Sequence, residues 1–125
     1  RDRILAAIDV GTNSIHMVVV RIIPSLPAFT IIDREKDTVR LGDRDPITKC
    51  LKEEAMQRAI AALRRCLEVA KSLNCEQVIA IATSAVRESP NGRDFLQRVE
   101  AEVGLHVDLI SGQEEARRIY LGVLS

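Results

Sequence analysis

Aromatic side chains are nearly missing from this chain: two Phe, one Tyr and no Trp among 125 residues. Any core must therefore be built from Val, Ile, Leu and Ala. Net charge is missing as well. The 18 basic and 18 acidic side chains balance to zero, which removes a global electrostatic case for nucleic acid or a membrane surface as partner. A local positive site stays open. Cysteine is sparse and odd in number, with Cys50, Cys66 and Cys75 lacking close metal-type spacing. Reduced thiols in a cytoplasmic protein are the expectation, with Cys66 a small core residue on a helix. No apolar run approaches membrane length, and neither a signal peptide nor an internal repeat is visible. What remains is one domain's length of aliphatic-rich chain, enough for a real core.

The patterning predicts strands first, then helices alternating with strands. Ile4–Ile8 is a nearly continuous apolar run, the mark of a strand buried on both faces. Ile15–Ile23 reads as a second strand closed by Pro24 and Pro27, and Ala28–Asp33 as a third, so the chain opens as an antiparallel meander. Leu41–Pro46 is a polar loop. Over Leu51–Leu73, Ala55, Ala59, Leu63, Cys66, Leu67 and Ala70 recur at helical spacing, with Asn74 as the stop. Val78–Thr83 is a fourth strand. Ser89-Pro90-Asn91 opens a helix through Val103 with Gly104 as its end. Val107–Ile110 is a fifth strand, and a last helix runs from Gly112. The order is that of an α/β fold resembling the ribonuclease-H-like half of actin-type proteins: a five-stranded mixed sheet, three leading antiparallel strands and then parallel ones, flanked by helices.

Three segments carry candidate chemistry. Asp9-Val10-Gly11-Thr12-Asn13-Ser14 follows the first strand. Gly11 permits positive φ and close approach of N–H groups to an anion, and Thr12, Asn13 and Ser14 add neutral donors. Asp9, at the strand end, is placed to hold Mg²⁺ directly or through water. The same residues also make ordinary hairpin turns. No Lys follows and a strand comes next, so this is not a Walker loop. In Thr83–Glu88, Arg87 sits beyond the carboxyl end of a strand, where open α/β sheets bind ligands. Its planar fork suits a phosphoryl group, although a surface pair with Glu88 explains it equally. In the third segment, Ser111 and Glu114 form a capping box, which accounts for Glu114. Glu115 borders the stripe Ala116, Ile119, Tyr120 and Val123, where partial desolvation suits a carboxylate to taking a proton from water. A solvated pairing with Arg117 or Arg118 is the competing reading.

Taken jointly, Asp9-x-Gly11-Thr12-Asn13-Ser14-Ile15-His16, Ala82–Arg87 followed by Asn91, and Ile110-Ser111-Gly112-x-Glu114-Glu115-Ala116-Arg117 resemble the N-terminal domain of the exopolyphosphatase/guanosine pentaphosphate phosphatase family. Order and spacing agree over essentially the whole chain. The resemblance implies a ribonuclease-H-like domain, residues 1–125, of a larger two-domain enzyme of the actin/sugar-kinase superfamily. It implies Mg²⁺-dependent hydrolysis of terminal phosphates by water, in the cytoplasm. Glu115 would be the general base, Arg87 a phosphate clamp, Gly11, Thr12, Asn13 and Ser14 the first phosphate loop, and Asp9 the residue near the metal. Polyphosphate or guanosine pentaphosphate would be the substrate, with a homodimer as an option and neither nucleic acid nor membrane as partner. The family's second loop, Asp-x-Gly-Gly-Gly-Ser, does not occur before Ser125, so half of the cleft is expected to lie elsewhere and residues 1–125 alone to be inactive. An actin-like ATP-binding module or kinase also uses an Asp-x-Gly-Thr loop, but lacks the Ser-Gly-x-Glu-Glu-Ala-Arg segment. A non-catalytic polyphosphate-binding domain is the remaining alternative.

Overall fold

The computed structural model describes residues 2–25 and 29–110. Five strands form one sheet: β1 (Arg3–Val10), β2 (Ser14–Ile22), β3 (Phe29–Thr38), β4 (Gln77–Ala82) and β5 (Asp108–Leu109). Their order is β3-β2-β1-β4-β5. β1 pairs antiparallel with β2 and parallel with β4, β2 pairs antiparallel with β3, and β4 parallel with β5. The expected meander followed by parallel strands is therefore present. β1 is central because its apolar run can be covered on both faces. Ala6, Ile8 and Val10 join Ile15, Met17 and Val19 of β2 in the main core, while Leu5 forms a smaller cluster with Val20 on the other face.

Helix α1 (Glu53–Ser72) lays Ala55, Ala59, Leu63, Cys66 and Ala70 into the main core. Small side chains at these positions let the helix approach the sheet closely. Burial pushes the Cys66 thiol up to about 11, with the Glu35 and Asp37 carboxylates adding to the rise, so this cysteine is a packing residue. Asn74 adopts φ 58 and donates its N–H to Lys71 O, while Cys75 donates to Ala70 O. These two bonds make a Schellman end, the stop anticipated at Asn74. Gly104 ends α3 (Gly92–Val103) in the same left-handed conformation, at φ 76.

Three elements differ from the sequence expectation. β3 runs on to Thr38, because its polar half, Arg34–Asp37, lies at the sheet edge and needs no second apolar face. Asp37 there accepts from Arg65 Nε of α1 at 3.1 Å. A one-turn helix α2 (Ser84–Glu88), not assigned from the sequence, follows β4, and α3 starts at Gly92 directly after the Ser89-Pro90-Asn91 signal. Five residues are too few to display helical periodicity. β5 shrinks to Asp108–Leu109, although the Ile110 N–H still reaches Ala82 O at 3.1 Å. The helix anticipated from Gly112 lies outside the described residues.

Candidate active site at the carboxyl edge of the parallel strands

β1, β4 and β5 run parallel, so their carboxyl ends share one edge of the sheet. The Thr83 N–H reaches Val10 O at 3.4 Å, which sets the segment after β4 beside the hairpin after β1. That hairpin, Gly11–Asn13, turns the chain into β2. Its Gly11 N–H bonds Ser14 O at 3.1 Å, and Gly11 does not use the positive φ that glycine permits. The Gly11 amide closes the hairpin and so points inward, and a Cβ at Gly11 would lie 3.0 Å from the Ser14 carbonyl oxygen. Glycine here eases a tight backbone approach and is not required by φ.

Two further amides, those of Asn13 and Ser14, are oriented from the other side of the hairpin. An arch between β3 and α1, Val39–Gly42, receives the hairpin carbonyls. Val39 and Arg40 both donate to Asn13 O, at 3.0 and 2.9 Å, and Gly42 donates to Thr12 O at 2.8 Å. A trans peptide points its N–H opposite to its C=O. Fixing the Thr12 and Asn13 carbonyls on the arch therefore turns the Asn13 and Ser14 N–H groups the other way. Two successive N–H groups on one side make a concavity suited to an anion. The polar reading of Leu41–Pro46 missed the arch, because its bonds are between backbones and leave no side-chain signature.

The second segment joins the first directly. Thr12 Oγ1 lies 3.0 Å from Ser84 Oγ at the start of α2. One turn on, Arg87 Nη1 donates to Ile110 O at 2.9 Å, the carbonyl at the end of β5. Arg87 thus stands over the carboxyl edge and ties α2 to the residue before Ser111. Its guanidinium has five donors in all. Glu115, Glu114 and the rest of the Ser111–Arg117 segment lie outside the described residues.

Asp9 is half-buried one residue before the β1 end, opposite His16 of β2. Among the described residues its Oδ1 is buried without a hydrogen-bond partner, and so is Ser14 Oγ. Burial holds the Asp9 carboxyl above its ordinary range, against a smaller opposing pull from His16. An anion with an orphaned, desolvated oxygen is an environment that a hard cation relieves, so Asp9 fits the Mg²⁺ site expected of it. Mg²⁺ commonly takes one or two carboxylates, with water and substrate phosphate oxygens completing its shell. Sequence reasoning singled out Asn91 as part of the second motif but not its contact with Leu51, just before α1. Its Oδ1 accepts from the Leu51 N–H at 2.8 Å and its Nδ2 donates to Leu51 O at 3.1 Å, which clamps the chain entering α1 to the start of α3.

Sheet order and strand directions define an α/β domain of the ribonuclease-H-like type. The model of the Ppx/GppA phosphatase family matches residues 18–125, and the chain belongs to that family. Among solved structures, the Ppx/GppA family member of Aquifex aeolicus is 31% identical with a TM-score of 0.88, covering 98% of this chain and 40% of that one. An exopolyphosphatase from Cytophaga hutchinsonii is 31% identical with a TM-score of 0.83, covering 92% of this chain and 36% of that one. MamK bound to AMPPNP, at 14% identity and a TM-score of 0.50 over 87% of this chain and 41% of that one, shares the fold alone. The chain thus spans well under half the length of the two phosphatase-family relatives.

Proposed function

We propose that the protein carrying this chain hydrolyses the terminal phosphoanhydride bond of inorganic polyphosphate. The observation that carries this reading is the meeting of the Gly11–Ser14 hairpin, Ser84 and Arg87 at one sheet edge. Membership of a phosphatase family and likeness to an exopolyphosphatase support the same direction. In this reading the Asn13 and Ser14 amides, with the Thr12 hydroxyl, hold the terminal phosphoryl oxygens. Arg87 approaches them with the donors it does not spend on Ile110 O. Glu115 takes the proton from the attacking water, which displaces the remaining chain in line. Asp9 holds Mg²⁺, which supplies positive charge against the phosphoryl oxygens when bound. No nucleophilic side chain is required, so water displaces the leaving chain in a single step. Three free thiols accord with a cytoplasmic setting.

Guanosine pentaphosphate offers the same terminal linkage and is the second substrate to assay. Phosphate release from both, by the full-length protein, separates the two. Glu115→Gln there should lower turnover by roughly two to four orders of magnitude, the loss expected for a general base, while substrate binding stays nearly normal. Glu114→Gln should cost stability through its cap and leave turnover close to wild type. Undiminished turnover in Glu115→Gln would remove Glu115 from the mechanism. We expect residues 1–125 alone to release no phosphate, since the second glycine-rich loop of the family is not among them.

A further inference from the structure

The hairpin that presents the Asn13 and Ser14 amides is held from outside. Val39 and Leu41 are fully buried, so the arch is rooted in the main core. Arg40 between them takes φ 55, a conformation unusual for a residue with a side chain, and its amide joins that of Val39 on Asn13 O. Gly42 is exposed, and its φ is not in the left-handed region. Neither core packing nor backbone conformation therefore demands glycine there. The demand comes from Thr12. A Cβ at Gly42 would lie 2.4 Å from Thr12 Cγ2 and 3.3 Å from Thr12 O, the atom that the Gly42 amide binds. A side chain at position 42 must displace the Thr12 methyl, either by turning Thr12 about χ1, which takes its hydroxyl off Ser84, or by moving the hairpin off the arch and with it the peptide planes that orient the Asn13 and Ser14 amides.

We propose that Gly42 is a positioning residue, whose missing side chain lets the core-rooted arch seat Thr12 and so orients the phosphate loop for substrate. The kinetic consequence rests on the functional reading above, whereas the contact itself does not. A double-mutant cycle in the full-length protein tests both. Gly42→Ala introduces the clash; Thr12→Ser removes Cγ2 and keeps the hydroxyl that meets Ser84.

In the wild-type background Gly42→Ala should lower kcat/KM for polyphosphate about tenfold, mostly through KM. In the Thr12→Ser background the same change should cost less than about twofold. Amide hydrogen exchange at Arg40 and at position 42 should quicken in Gly42→Ala and slow again in the double variant. A single variant that fails to fold, beside a double variant that folds and keeps those amides protected, supports the same contact. Equal losses in both backgrounds, or exchange untouched by Gly42→Ala, would overturn the proposal. Should the full-length wild type hydrolyse no polyphosphate, the functional reading fails, and the exchange measurement still decides whether Gly42 seats the loop.

Discussion

Asp9, one residue before the end of β1, carries a carboxylate whose Oδ1 meets no donor among the described residues, and burial raises its pKa. The unfolded chain ionises this group near 3.8, before the folded chain does. Ionisation therefore opposes folding from that pH upward, and fully so above the raised folded value. Asp9→Asn should resist denaturant better than wild type at neutral pH, and the two should converge as pH falls below the ordinary aspartate value. Mg²⁺ should stabilise wild type and leave Asp9→Asn unmoved; equal stabilisation of both by Mg²⁺ would place the cation elsewhere. Residues of this kind were legible in the sequence by type and place. Asp9, Asn13 and Arg87 could be picked out because an acid, a turn amide and a cation each follow an apolar strand. What those atoms bond was not legible. Nothing in the string Asp9–Ser14 says that the Gly11 amide closes the hairpin while the Asn13 and Ser14 amides turn away from an arch, because that division is imposed by a segment some thirty residues away in sequence.

Among the elements, α1 and β1 were readable because their apolar spacing is long and regular, and α2 was not because it has one turn. Two side chains join elements in ways that spacing cannot reveal. Asn91 imitates a strand partner for Leu51, donating and accepting at once. Asn91→Ala should destabilise the fold by about 1–3 kcal/mol, because it strips a part-buried amide and carbonyl of their partner. Urea denaturation measures this, and a loss within experimental error would show water replacing the side chain. His106 stands between Glu100 near the end of α3 and Asp108 of β5, with its ring nitrogens 2.8 and 3.0 Å from their oxygens. Those carboxylates, Glu100 first, hold its pKa above the ordinary value. The protonated ring thus favours the folded state fully below pH 6.5 and ceases to do so as pH rises through the folded pKa. The stability advantage of wild type over His106→Gln should therefore shrink as pH rises from 6.5 through the raised folded pKa. An advantage independent of pH would mean that the ring contributes by packing alone.

For the whole molecule, fold class followed from the succession of apolar patterns, whereas the strand order β3-β2-β1-β4-β5 was not legible there; α1 lies on the crossover that the parallel pair β1 and β4 needs. That topology brings the ends of β1, β4 and β5 together, so segments more than seventy residues apart meet at Thr12 and Ser84. The common edge is the reason a phosphate chemistry can be argued at all. A titration of the full-length protein with inorganic phosphate and Mg²⁺, followed residue by residue through amide and guanidinium NMR signals, tests it most directly. The account predicts saturable shifts at Asn13, Ser14, Ser84 and the Arg87 guanidinium with one common affinity. Shifts confined to other surfaces, such as the exposed Arg34 and Lys36 of β3, with Asn13, Ser14 and Arg87 silent, would contradict it.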